Sequence, residues 1–228
     1  MRINADFDKR VLLHADEIAW QPSPMPGVSR RPLDRIGGEV ARATTIVRYE
    51  PGSAFSPHTH DGGEEFVVLE GIFSDEHGDF PAGSYIRNPP TSRHTPRSEP
   101  GCVIFVKLWQ FDPDDRTEVR VALDPAGSVA DVTRPGVSVK PLFVDDREAV
   151  RVEQWEPNLR YSIDAPGGAE LLLLEGTLEE SGERLRQHSW LRVPIGSRLS
   201  LTSGDDGAKM WIKLGHLRHV RAPGSVEV

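Results

Sequence analysis

Residues 51–71 read PGSAFSPHTHDGGEEFVVLEG, and within seven positions they carry three side chains able to ligate a metal: His58, His60 and Glu64. Successive side chains of an extended strand alternate faces, so His58 and His60 point the same way, one pleat apart. Gly62-Gly63 can turn the backbone without steric penalty and return Glu64 towards the two imidazoles. A mixture of imidazole and carboxylate suits zinc, iron or manganese.

Working outward, the chain reads as β structure. The pattern sets in at about residue 36 with IGGEVARATTIVRYE (36–50), closed by Pro51-Gly52. FVVLEG (66–71) is a strand, and IFSDEHGDF (72–80) is a hairpin turning near Asp75–Gly78. AGSYIRNPP (82–90) is a strand stopped by its double proline, and CVIFVKLWQF (102–111) is the most apolar strand of this half. Before residue 26, the proline-rich QPSPMPG (21–27) cannot continue a helix or a central strand.

The second half repeats the first. PGVSRRPL (26–33) returns as PGVSVKPL (135–142), GGEEFVVLEG (62–71) as GGAELLLLEG (167–176), and SYIRNPPTSR (84–93) as SWLRVPIGSR (189–198). VKL (106–108) returns as IKL (212–214). Four collinear matches in nearly constant register imply duplication, with a join in 112–134 and lobes of 1–120 and 121–228. The long period excludes solenoids and propellers, whose units run to about 20–50 residues. It suits two tandem β-sandwich or barrel lobes, an all-β fold. FVVL and LLLL are apolar at every position, so both faces of these strands are covered, by the other lobe or by a neighbouring subunit.

Composition sets further limits. The net charge is −8 and no dense Lys/Arg block occurs, which argues against nucleic acid as a partner. No apolar run is long enough for a membrane span, and the charged N-terminus lacks the core of a signal peptide. The single cysteine, Cys102, lies in an apolar strand and fits a reducing compartment. A cytoplasmic protein is expected. Exposed sheet edges and two-sided apolar strands suggest a homodimer.

A three-ligand set needs a fourth. His94 follows the double proline thirty-four residues after His60, about two hairpins away, and is the best choice. Glu65 competes with Glu64 but has the opposite strand parity. His14 lies in the N-terminal segment, His77 in a turn, and His188 beside a strand without a ligand partner. His216 and His219 read as a charged tail. Arg87 recurs as Arg192, which favours a structural role. Gln110, Tyr85, Phe66 and Trp109 are candidates to line a cavity. His58, His60, Glu64 and His94 correspond in the second lobe to Ile163, Ala165, Ala169 and Leu199. An apolar cavity cannot hold a divalent ion, so only the first lobe is expected to bind metal.

These residues carry a family resemblance. Gly52, His58-x-His60, Glu64 and Gly71 are spaced as in the first motif of the cupin superfamily, and Gly83, Pro89 and His94 as in its second, with Thr91 where a glycine usually stands. HTHDGGEEFVVLEGIFSDEHGDFPAGSYIRNPPTSRH followed by GCVIFVKL resembles more narrowly the cupin domain of ChrR-type anti-sigma factors. The resemblance implies two jelly-roll barrels, a bicupin. It also implies the ligand set His58, His60, Glu64, His94 for one divalent metal, zinc first, with iron, manganese or nickel as alternatives. It implies a sensor or regulatory role, with a metal-dependent dioxygenase acting on a small molecule such as a β-diketone as the alternative. ChrR grips its sigma factor through a separate N-terminal zinc domain. This chain starts almost directly with cupin sequence and no His/Cys cluster, so sigma-factor binding is not expected to carry over. The expected partner is a small-molecule ligand.

Overall fold

A computed structural model describes residues 1–38 and 40–224; Glu39, in the first expected strand, and the last four residues of the second expected lobe lie outside the described residues. The described residues are nearly all β, with two short 3-10 segments among them, Ala15–Glu17 and His216–His219. It divides into two compact units.

Unit 1 is built on an antiparallel sheet. Its path runs Arg2–Ile3, Val28–Gly37, Ala41–Tyr49, Cys102–Leu108, Glu64–Asp75, Ser84–Asn88 and Val119–Ala122. Unit 2 repeats the order as Val129–Ala130, Val137–Val144, Ala149–Trp155, Ser197–Leu214, Ala169–Glu180, Ser189–Val193 and Val11–His14. Phe66, Val67 and Val68, and Leu171 to Leu173 opposite them in the repeat, are buried within the chain itself. The two-sided apolar pattern therefore has its cover without a second subunit.

The sequence reading placed the first strand too late. Val28–Gly37 is already a strand and pairs with Ala41–Tyr49. Pro32 argues against a continuous strand, but the pairing shifts register between Pro32 and Asp34, leaving Leu33 as the extra residue of a β-bulge. The same shift occurs between Pro141 and Phe143, so the repeated Pro-Leu marks a bulge in both units.

A single cut between residues 120 and 121 does not reproduce the two units. Among the described residues, unit 1 comprises Met1–Ala5, Ala19–Asp124 and 221–224; unit 2 comprises Asp6–Ile18 and Pro125–Val220. Two edge strands cause the difference. Val11–His14 pairs with Ser189–Val193 in unit 2, and Val119–Ala122 pairs with Ser84–Asn88 in unit 1. These pairings are equivalent: Val11 faces Arg192 as Val119 faces Arg87. The amides just beyond them also match, Ala15 donating to the His188 carbonyl and Leu123 to that of Gly83. Each repeat thus gives its leading edge strand to the barrel of the other.

In unit 2 the strand Ser197–Leu214 runs unbroken for 18 residues. Its counterpart in unit 1 is cut into Ser92–His94, Arg97–Ser98 and Cys102–Leu108. Pro96 and Pro100 stand at the two breaks and cannot donate to a ladder. The first fragment is thereby freed to pair only with His58–His60, as a separate two-stranded sheet.

Candidate metal centre

In that small sheet His94 lies directly opposite His58, and Ser92 opposite His60. Strand parity puts His58 and His60 on one face, and the pairing adds His94 to it. The three rings form a near-equilateral triangle, with centroids 4.7, 4.8 and 5.2 Å apart. One ligating atom from each lies within 4.8 Å of the others.

Glu64 enters from the adjoining turn. Gly63 takes φ +74°, a left-handed conformation that glycine adopts freely. Gly62 serves differently, because a Cβ there would strike the Trp109 ring. The turn leaves Glu64 Oε2 3.4 Å from His60 Nε2 and 3.5 Å from His94 Nε2. Glu65, one position on, faces the other way and accepts a hydrogen bond from the Tyr85 hydroxyl at 2.8 Å. Its repeat partner Glu170 accepts from Trp190 Nε1 at 3.1 Å, so that carboxylate is part of the scaffold in both units.

Hydrogen bonds fix the tautomers. His58 Nδ1–H donates to the Ser56 carbonyl at 3.0 Å, and His94 Nδ1–H donates to Asp75 Oδ2 at 3.1 Å. Both leave Nε2 free to ligate, the arrangement that orients metal-binding histidines. Asp75 is held by a second bond, from the His77 amide to Oδ1 at 2.7 Å. Sequence reasoning placed Asp75 only in a hairpin turn. Its counterpart Glu180 is also acidic and buried, but Arg10 occupies it at 2.8 Å.

The electrostatics show what the cluster asks for. Nε2 of His60 and Nε2 of His94 stand 2.8 Å apart, so a proton or a cation must lie between two otherwise repelling lone pairs. Burial, helped by the neighbouring histidines, lowers the His60 pKa in spite of Glu64. Burial opposes charging His94 as well, but the Asp75 hydrogen bond and the Glu64 carboxylate outweigh it and raise its pKa. Without metal, His94 is thus the more readily protonated of the two rings. Three imidazole nitrogens and an adjacent carboxylate form a donor set fitted to a borderline divalent ion, whose binding would release that proton.

The centre opens on a cavity of about 280 Å³. His58, His60 and Glu64 stand in its wall with apolar residues such as Val47, Ile104 and Leu108. Trp109 lines it as expected; Tyr85, Phe66 and Gln110 do not. Tyr85 is bonded to Glu65, Phe66 belongs to the packed core, and Gln110 Nε2 donates to the Ala43 carbonyl. Arg87 is also absent from the wall; its guanidinium lies 4.1 Å over the Phe111 ring, as that of Arg192 lies 4.1 Å over Phe7.

Unit 2 repeats the geometry without the donors. Ile163 pairs with Leu199 as His58 pairs with His94, and these two join Ala165 and Ala169 in the hydrophobic core. Burying a side chain such as Leu199 or Ile163 stabilises by about 1.5–3 kcal/mol, a gain unit 1 forgoes at His94 and His58. His216, expected in a solvated tail, is instead buried, with Nε2 3.0 Å from Glu170 Oε1.

The sequence profile of the ChrR cupin-like domain family matches residues 8–112. Solved structures superpose on both units. A candidate dioxygenase from Nostoc punctiforme does so with a TM-score of 0.71 at 17% identity, covering 97% of this chain and 88% of that one. Residues 8–112 belong to the cupins, and the chain as a whole has the cupin fold. Ylba of Escherichia coli gives a TM-score of 0.72 at 14% identity over 98% of this cupin and 95% of its own chain. The bacterial pirin YhhW of Escherichia coli, in complex with nickel(II), gives 0.66 at 12% identity over 91% and 99%. At such identities the likeness concerns the fold. No protein of curated function matches the sequence. No helix among the described residues is long and apolar enough to cross a membrane.

Proposed function

We propose that this bicupin is a metal-dependent enzyme in which His58, His60, Glu64 and His94 hold one divalent metal and present it to a small molecule in the adjoining cavity. The observation that carries this reading is that three of the four ligands form part of the cavity wall, so a molecule bound there meets the centre directly. A bound ion would supply Lewis-acid polarisation or activation of oxygen.

The protein's own residues do the rest. Asp75 holds His94 in the ligating tautomer, and Ser56 does the same for His58. Val47, Ile104 and Leu108 exclude water from the reacting molecule. The chemistry we assign is that of a dioxygenase. A carbon–carbon bond of a β-diketone breaks and each atom of O₂ enters one of the two products, an acid and an α-ketoaldehyde.

The match to ChrR cupin-like domains favours a second reading, a sensor or regulator that binds metal and ligand without turnover. Metal analysis of the purified protein and oxygen uptake with a panel of β-diketones separate the two. Iron with turnover supports the enzyme; tightly held zinc without uptake sinks it in favour of the sensor. Replacing His58 and His60 by alanine should remove one metal equivalent per chain, and unchanged occupancy would refute the site.

A further inference from the structure

The cavity wall carries charge that the metal centre does not use. Arg30 and Arg35 both line the cavity. Five residues apart on a regular strand, they would face opposite ways. The bulge at Leu33 restores them to one face: Arg30 pairs with Val47 and Arg35 with Ala43, positions of like parity on the adjacent strand. Burial lowers the Arg35 pKa, and the nearby Arg30 charge adds to that.

Arg35 donates to the Gly38 carbonyl. Arg30 has no hydrogen bond or ion pair from its side chain among the described residues, although it is only half-exposed. Tyr49, two residues beyond Val47 on the neighbouring strand, lines the same cavity, and burial keeps its phenol protonated as a hydrogen-bond donor. A cation and a phenol donor thus line a cavity of mixed polar and apolar wall, in a chain whose net charge is −8.

The duplication supplies a control. Residues equivalent to Arg30 and Arg35 across the matching bulges are Val139 and Val144, and Val139 packs against the unit 2 core. Both cations are missing from the unit that also lacks the four ligands. A structural role in the barrel would be needed in both units; a role towards a cavity ligand is needed in one.

We propose that Arg30, with the Tyr49 hydroxyl beside it, is the subsite for a carboxylate of the small molecule, so that the favoured substrates are small organic acids. This deepens the enzymatic reading above and rests on its cavity. A guanidinium–carboxylate pair is charge-assisted and can be bidentate, and is worth about ten- to a hundredfold in affinity.

The test is anaerobic calorimetric titration of the metal-containing full-length protein with acetoacetate and with its uncharged near-isostere acetylacetone. Wild-type protein should bind acetoacetate at least tenfold more tightly. Arg30→Met should abolish that preference, raising the acetoacetate Kd about ten- to a hundredfold, while acetylacetone affinity and metal content stay as they were. Arg30→Lys, which keeps charge but not the fork, should recover part of it and supplies the same comparison if the methionine variant does not fold. Equal binding of the two compounds by wild-type protein, or an equal loss of both in Arg30→Met, would overturn the proposal. Oxygen uptake is measured in parallel. A carboxylate preference without uptake would sink the dioxygenase and leave the subsite standing, whereas uptake with no preference would do the reverse.

Discussion

Asp75→Asn puts the orientation of the metal centre to the test. Asp75 is almost fully buried and accepts two hydrogen bonds, from His94 Nδ1–H at 3.1 Å and from the His77 amide at 2.7 Å. Asparagine offers one carbonyl oxygen where aspartate offers two. If that oxygen serves His77, the amide NH₂ faces His94 Nδ1 and drives the proton to Nε2, the atom that must ligate. If it serves His94, the His77 amide loses its acceptor and the turn is disturbed. In the first case the orienting partner is lost, at about 10–100-fold in metal affinity, or about 1.4–2.8 kcal/mol; in the second a neutral acceptor replaces a charged one and the loss is smaller. Competition against a chromophoric chelator measures this directly. Glu180→Gln, at the equivalent position of unit 2, is the control, and should lower stability through loss of the Arg10 pair while leaving metal affinity unchanged. Metal affinity of Asp75→Asn equal to wild type would refute the reasoning.

Three further predictions concern the scaffold. Thr91 takes φ +72°, where Gly196 stands in the repeat at +79°, so Thr91→Gly should stabilise unit 1 by about 1 kcal/mol in urea melts. Gly62→Ala drives a methyl group into the Trp109 ring and should destabilise unit 1 by about 1–3 kcal/mol, with a shift in tryptophan fluorescence as the signature. Glu153 is buried in unit 2 and bonded by Arg134, Arg151 and Trp155. Burial would raise its pKa, but these three partners prevail and hold it below the ordinary value of 4.5. Its stabilisation is therefore present above that pH and lost as pH falls through the lower folded-state value. Glu153→Gln should cost about 2–3 kcal/mol at pH 7, and the gap to wild type should narrow below pH 4.5 in thermal melts.

The parts legible in the sequence are those with local or periodic signatures. Two histidines at i and i+2 on a strand share a face whatever the fold does, and a repeat of more than 100 residues declares two barrels. His94 was accessible through the double proline and the spacing that follows it. Asp75 was not, because a carboxylate in a hairpin looks the same whether it points to water or to an imidazole. Arg30 and Arg35 were hidden by their parity, which only the bulge at Leu33 corrects. His216 was misjudged because a charged neighbourhood in sequence conceals a buried position opposite Glu170. The exchanged edge strands were beyond reach, since nothing in RVLLH or VRVAL states which barrel each will join.

That exchange has a kinetic consequence. His14 and Ser189 are 175 positions apart, yet they are joined by strand pairing and by a 2.8 Å contact between side chains. Val119–Ala122 needs only the Ser84–Asn88 strand, already synthesised nearby. On the ribosome, unit 1 can complete its sheet soon after residue 122 emerges. The strand that closes unit 2, Val11–His14, must wait for a partner about 175 residues further on. Pairings of such long sequence separation form slowly. The slow phase of refolding should therefore report unit 2, and unit 1 should mature first.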